Sequence, residues 1–370
     1  MKFNINQNDL QQSLGYCQGV IEKRSTLPIL SNILLDATGS NLKIIATDLD
    51  LIFINEIQNI EIIEEGKTTT VSSTLYDIIR KFNSGKKINF NQTSENKIQL
   101  ESEKSIFNLN CLSASEFPVT EENFTSNGFT MKSKELLKLL NKCKFSISND
   151  ETRHYLSGIY MHQTKLEDKI YLTAAATDSH RMSISKVMLK EEIQFDPIIL
   201  PKKTIFQLVN LLEDYDGDVK ISNEKSKIKF EMENSTLISK LIDGKFPNYI
   251  QVIPKNNKKK LDIDLKLFMD SVDRVASVSL DKKDSVKFIL TKDKLNLSVN
   301  NTSSGDGNET LNVSFDHELN ISFNSRYLID IASQLDGDKI EIYLNETGSP
   351  ALIKDPSDFD SIYVVMPMKG

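Results

Sequence analysis

The sequence predicts an α+β protein made of three tandem copies of one domain, each with two helices packed on antiparallel sheets. Three observations carry this. Apolar residues at helical spacing occur six times, two runs in each third of the chain. The second run of each pair leads into a glycine turn and an alternating strand, in NSGKKINF, YDGDVKIS and LDGDKIEIYL. The glycines of those turns, Gly85, Gly217 and Gly337, recur at steps of 132 and 120 residues, too long for a solenoid repeat and suited to a whole domain.

The helices justify themselves in order. Leu10, Leu14, Cys17 and Ile21 mark the first. Leu75, Ile78, Ile79 and Phe82, after a start signal at Ser72-Ser73, mark the second. Leu136, Leu140 and Cys143 mark the third, and Ile205, Leu208, Val209 and Leu212 after Pro201 mark the fourth. Phe268, Val272 and Val275 give the fifth, and Leu328, Ile331, Ala332 and Leu335 the sixth. Between them, stretches such as SNILLDATGSNLKIIATDLDLIFINEI and KFILTKDKLNLSVNN alternate around short Gly, Asp or Asn turns, the pattern of antiparallel hairpins. Other landmarks keep the same step: Arg24 with Arg153, Asp48 with Asp178, and Phe117-Pro118 with Phe246-Pro247. Polar breaks at EENFTSNG and PKNNKKK place the domains at residues 1–126, 127–254 and 255–370.

Composition narrows the function. At 370 residues the chain suits two or three domains. No apolar run approaches the ~20 residues that span a bilayer, and MKFNINQNDL has no signal-peptide core, so a soluble, cytoplasmic protein without membrane contact is expected. Cys17, Cys111 and Cys143 lie far apart and are expected as buried small hydrophobes. The net charge of −7 argues against seizing nucleic acid with the whole surface, but leaves room for a basic stripe on one face.

Residues 176–182, ATDSHRM, set Asp178, Ser179, His180 and Arg181 side by side. A hydrolase triad fails there, because neighbours in extended chain point to opposite sides and triads are assembled from separated segments. LKIIATDLD at 42–50 is the same apolar run into Thr-Asp without Ser-His-Arg. On the third helix Lys134, Lys138 and Lys142 stand at i, i+4 and i+8, opposite Leu136, Leu140 and Cys143, a row able to track a phosphate backbone or to form a solvated face. Lys23, Arg24, Arg153, Lys202 and Lys203 add basic groups at similar points of the repeat. There is no Gly-rich phosphate loop, no HExxH and no paired-Cys spacing, and His154, His162, His180 and His317 show no ligand spacing. The expectation is a binding body, with no catalytic residues, metal or cofactor.

YVVMPMKG (363–370), RSTLPILSNILL (24–35), RHYLSG (153–158), ATDSHRM and SKLIDGKFPNY (239–249), with the three-copy layout, closely resemble the bacterial DNA polymerase III β subunits, the sliding clamps, over the full length. The resemblance implies three clamp-type domains per subunit and a ring formed as a head-to-tail homodimer. Twelve helices would line a hole that holds double-stranded DNA without reading its sequence. Partners would be the DNA polymerase III catalytic subunit, the clamp loader, other polymerases and repair proteins. It places their peptide in a pocket of Leu156, Thr177, Ser179, His180, Arg181, Met182, Pro247, Val252, Val364, Met366, Pro367 and Met368, with Arg181 and backbone groups orienting it. DNA contact falls to Arg24, Arg153 and Tyr155, joined by Lys134, Lys138, Lys142, Lys202 and Lys203. The subunit boundary takes Phe107 and Leu109 on an edge strand, Ser277 and Val278 on the facing helix, and Asp306 and Glu309 from a thinned acidic cluster. Asp150 stands near a contact position that is a neutral amide in relatives, Ser277 is more polar than usual, and Lys369-Gly370 replaces an Arg-Leu ending.

Overall fold

The computed structural model describes residues 1–22, 26–58, 60–118, 124–125, 128–278 and 285–368. Six α-helices occur among them: α1 (Gln7–Cys17), α2 (Ser72–Ile79), α3 (Ser133–Lys144), α4 (Lys202–Glu213), α5 (Leu265–Ala276) and α6 (Ser325–Ala332). Every apolar run read as helical lands on one of them, and the ends follow from capping. Asn6, Asp264 and Asn324 accept backbone N–H groups of the first turns of α1, α5 and α6. Ser72 is no cap; it is buried inside α2 and its Oγ accepts from Gln18 Nε2 at 2.9 Å. Ile21, Phe82 and Leu335 lie just past their helices, in turns that still close hydrogen bonds to the preceding residues.

All strand pairings among the described residues are antiparallel. The chain divides into two compact units, one of Met1–Leu137, Ile193–Asp196 and Lys203–Leu241, the other of Lys138–Glu192, Pro197–Lys202 and Ile242–Gly370. The first contains a 13-stranded sheet in which Ser235–Lys240 pairs with Leu51–Ile57, Leu237 opposite Phe53. The second contains an eight-stranded sheet, in which Arg181–Met188 pairs with Asp358–Val365, and a separate four-stranded sheet. Strands of the middle third therefore continue the sheets of both neighbouring thirds, and the middle third is shared between the two units.

The second unit's largest core packs Phe268, Val272, Leu328 and Ile331 of α5 and α6 on Phe288, Leu297 and Phe323 of the four-stranded sheet. Each such side chain contributes ~1.5–3 kcal/mol of burial. Cys17, Cys111 and Cys143 are free and buried. Two of the three glycine turns differ in cause. Gly85 has φ +75°, where a side chain is strained, whereas a Cβ on Gly337 would lie 2.7 Å from both Asp355 Oδ1 and Ser357 Oγ, so there space decides.

Candidate functional site

Two turns of the same construction mark the first and second copies. At 47–51, the Thr47 hydroxyl accepts from Leu49 N–H, and Asp48 Oδ1 accepts from the N–H groups of Asp50 and Leu51. At 177–181, Thr177 does the same for Ser179, and Asp178 for His180 and Arg181. Leu49 and Ser179 both take positive φ, 79° and 77°. The Thr-Asp pair thus builds the turn by satisfying its own backbone, which leaves the next three residues free to differ.

In the second copy those residues are committed. Arg181 Nε donates to Asp178 at 3.1 Å, Nη1 to Asp330 at 2.5 Å and Nη2 to the Phe145 carbonyl at 2.7 Å, with its guanidinium 4.4 Å from the Tyr327 ring centroid. Its charge is met by two carboxylates and it is nearly buried, which fixes the guanidinium in place at the edge of the cavity it lines. His180 stacks on Tyr327, and its carbonyl accepts from Met366 N–H at 2.8 Å. Met368 N–H donates to the Ser322 carbonyl at 2.8 Å, so the tail is tied down at alternate residues.

Between turn and tail opens a mostly apolar cavity of about 330 Å³, lined by Thr177, Ser179, Arg181, Met182, Pro247, Tyr249, Val252, Val364 and Met366. Eight of these come from the expected set. Leu156 is buried in the core cluster behind it with Met182 and Val364. His180, Pro367 and Met368 lie on the flanking turn and tail and do not line the cavity. Tyr249 is the residue the sequence reading missed; its one signal was an aromatic two places after Pro247 in KFPNY. A roomier groove of about 600 Å³ is lined by Asn8, Gln11, Gln12, Tyr16 and Tyr76 among others and is polar, without the anchoring apolar wall.

The expected cationic row is corrected. Lys134 is exposed and paired with Asp216 at 2.7 Å. Lys138 pairs with Asp358 at 2.9 Å. Lys142 is 5% exposed, donates to the Gln334 carbonyl, and pairs with Asp336 at 2.8 Å. The reason is helical drift: eight residues at 100° each overshoot two turns by about 80°, carrying Lys142 toward the Cys143 side. Lys203 is bound to Asp48 and to the Val20 carbonyl, and Lys202 donates to Asn149 at 2.5 Å. Arg153 donates to Asp150 at 2.8 Å and to Ser179 Oγ at 2.6 Å, which attaches it to the turn beside the cavity, and Tyr155 packs partly buried against the cavity's core. Arg24 lies outside the described residues, as do Lys23 and Lys369-Gly370.

Four of the six boundary residues sit on two strands that have unpaired sides among the described residues. Phe107 and Leu109 are on Ser105–Leu112, which beyond Lys97–Ser102 is paired only through Cys111 and Leu112. Phe107 is 38% exposed and contacts Phe82 at 5.7 Å. Gly305–Asn312, with Asp306 and Glu309, ends the four-stranded sheet. Ser277 caps α5 rather than lying in it, and Val278 packs partly on the core. Glu309 is not a free acid: Arg274 holds it at 2.7 and 3.0 Å, Ser271 adds a hydrogen bond, and these contacts keep its carboxyl below the usual range.

Comparison with known proteins gives the family and the fold. Residues 1–121, 130–248 and 250–369 match the family models of the DNA polymerase III beta subunit N-terminal, central and C-terminal domains. The chain is 37% identical over 373 residues to the beta sliding clamp of Caulobacter vibrioides, all of both chains being covered. A Caulobacter crescentus beta sliding clamp structure superposes with TM-score 0.95 at 37% identity, covering 100% of this chain and 99% of that one. A Bartonella birtlesii sliding clamp bound to griselimycin superposes with TM-score 0.96 at 36% identity over all of both chains. With its turn, tail and three domain matches accounted for together, the chain belongs to the DNA polymerase III beta subunit family, the beta sliding clamps.

Proposed function

We propose that this chain is a DNA polymerase processivity factor: a head-to-tail homodimeric ring that encircles double-stranded DNA, slides on it, and tethers the DNA polymerase III catalytic subunit, the clamp loader and other polymerases and repair proteins. It works without catalysis or a cofactor, in the cytoplasm, through three clamp domains at 1–126, 127–254 and 255–370. The observation that carries the reading is the apolar cavity joined to a hydrogen-bonded C-terminal tail, a shape suited to a short peptide's apolar anchors.

The boundary forms when the open side of Ser105–Leu112 in one subunit adds to the Gly305–Asn312 edge of the next, with Phe107 and Leu109 facing Val278 and Ser277. Exposed pairs such as Arg274–Glu309 contribute only ~0–1 kcal/mol, so apolar contact and strand pairing dominate there. On the DNA side, the proposed contact set is Arg24, Arg153, Tyr155 and Lys202, with Arg153 ion-paired to Asp150 as the lysines are to their acids. Lys134, Lys138 and Lys203 meet phosphate only by sharing it with their carboxylates, and Lys142 is withdrawn from it. Such compensated cations make few and labile contacts, which suits a protein that must move along the duplex.

The pocket is tested by truncation. Removing Met366–Gly370 takes away the Met366–His180 and Met368–Ser322 bonds and one apolar wall. Affinity for a labelled partner peptide, read by fluorescence anisotropy, falls at least tenfold while the dimer persists in sedimentation. Undiminished affinity contradicts the docking role.

A further inference from the structure

Behind the cavity lies an aromatic group that docking alone does not require. Tyr249 is a wall of the cavity and 6% exposed. Tyr160 lies face to face with Phe246, centroids 4.9 Å apart at 4°, and His162 stacks on Tyr160 at 4.6 Å. The Tyr249 ring stands edge-on to Tyr160, His162 and Phe246 at 6.5, 5.8 and 6.4 Å. Its hydroxyl is 2.9 Å from His162 Nε2, and His162 Nδ1 is 3.1 Å from the Gln163 carbonyl oxygen.

These contacts fix the direction of the bond. A carbonyl only accepts, so Nδ1 carries the imidazole proton, Nε2 is the acceptor and the Tyr249 hydroxyl donates. Burial holds the imidazole below its ordinary value, which favours this neutral form, and pushes the Tyr249 phenol up to about 12, so the donor keeps its proton. A ring held by packing on three aromatic neighbours still has one soft motion, rotation about its own side-chain bonds, and the hydroxyl bond to His162 removes it.

We propose that the His162–Tyr249 hydrogen bond fixes the Tyr249 ring as a rigid wall and thereby sets which apolar side chain of a partner peptide the pocket accepts. The inference rests on the docking reading of the cavity. A fixed wall discriminates by size, because a larger anchor must displace the whole stack, whereas a loose wall yields. His162 touches no ligand here; it is a positioning residue acting through Tyr249.

The test uses the full chain and two labelled peptides that differ only in leucine or tryptophan at the apolar anchor, with griselimycin as an independent probe of occupancy. The wild-type chain prefers the leucine peptide by about tenfold or more. His162→Phe keeps a ring in the stack but removes the acceptor, and shrinks that preference by about two- to tenfold, while His162→Gln, which retains an acceptor, restores most of it. Tyr249→Phe removes only the hydroxyl, gives the same loss, and decides the matter if His162→Phe does not fold. A preference ratio unchanged in these variants, even with both affinities lowered, overturns the proposal, as does a wild-type chain without preference. If neither peptide nor griselimycin binds the wild-type chain, the docking reading itself fails and takes the inference with it.

Discussion

Lys142 shows how a residue's surroundings override its type. It belongs to a row of lysines at steps of four, yet its side chain is 7% exposed and lies between Asp336 and the 5% exposed carboxylate of Asp358, which is 3.9 Å away. Without Lys142 the largely exposed Asp336 turns to water and Asp358 keeps Lys138, so Lys142→Met costs about 1–2 kcal/mol, chiefly the hydrogen bond lost by the Gln334 carbonyl. Lys134→Ala, on the exposed pair with Asp216, changes stability by less than about 0.5 kcal/mol. Urea midpoints of the two variants separate these cases, and equal shifts contradict the burial argument. The sequence could not separate them, since the row reads alike at every step and only the identity of what lies opposite, residues 334–336 and 358, distinguishes one lysine from the next. By contrast the Thr-Asp turn was legible, because its hydrogen bonds close within five residues.

At the scale of elements, the hairpin around Asp355 and Asp358 is held by carboxylates. Asp355 accepts from the N–H groups of Asp336, Gly337 and Ser357, and Asp358 from Lys138 and Asp360 N–H. Burial raises both carboxyls, but these hydrogen bonds outweigh it, and each ends below its ordinary value. The folded state therefore binds fewer protons than the unfolded chain, whose aspartates titrate near ~3.9. Their stabilisation is complete above that value and is lost as pH falls from about 4 through the lower folded-state values. The midpoint of thermal unfolding is expected to fall slightly as pH drops through about 6.5, where the unfolded chain takes up a proton that buried His162 resists, and to drop steeply below about 4, with the acid limb shallower in Asp358→Asn. An acid limb of the same steepness in that variant contradicts the assignment. The helices themselves were legible from apolar spacing, but not their ends: Ser72 in sequence is an ordinary cap, and only the fold buries it against Gln18.

For the whole molecule, three copies were readable because each element pattern recurs at a nearly constant step, and the three family-domain matches follow the same thirds. What could not be read was how the middle copy is bound to the others. The pairing of Leu237 with Phe53 and of Ile184 with Ile362 joins residues far apart in sequence, and strand register of that range leaves no mark in local patterning. The net charge of −7 and the paired lysines give a molecule with little electrostatic grip, so retention on DNA has to come from closure. The most direct measurement loads the chain onto nicked circular duplex with a clamp loader, then compares its dissociation before and after the circle is cut once. Retention on the closed circle with rapid loss after linearisation, at unchanged salt, is the predicted result; equal dissociation from both would contradict it.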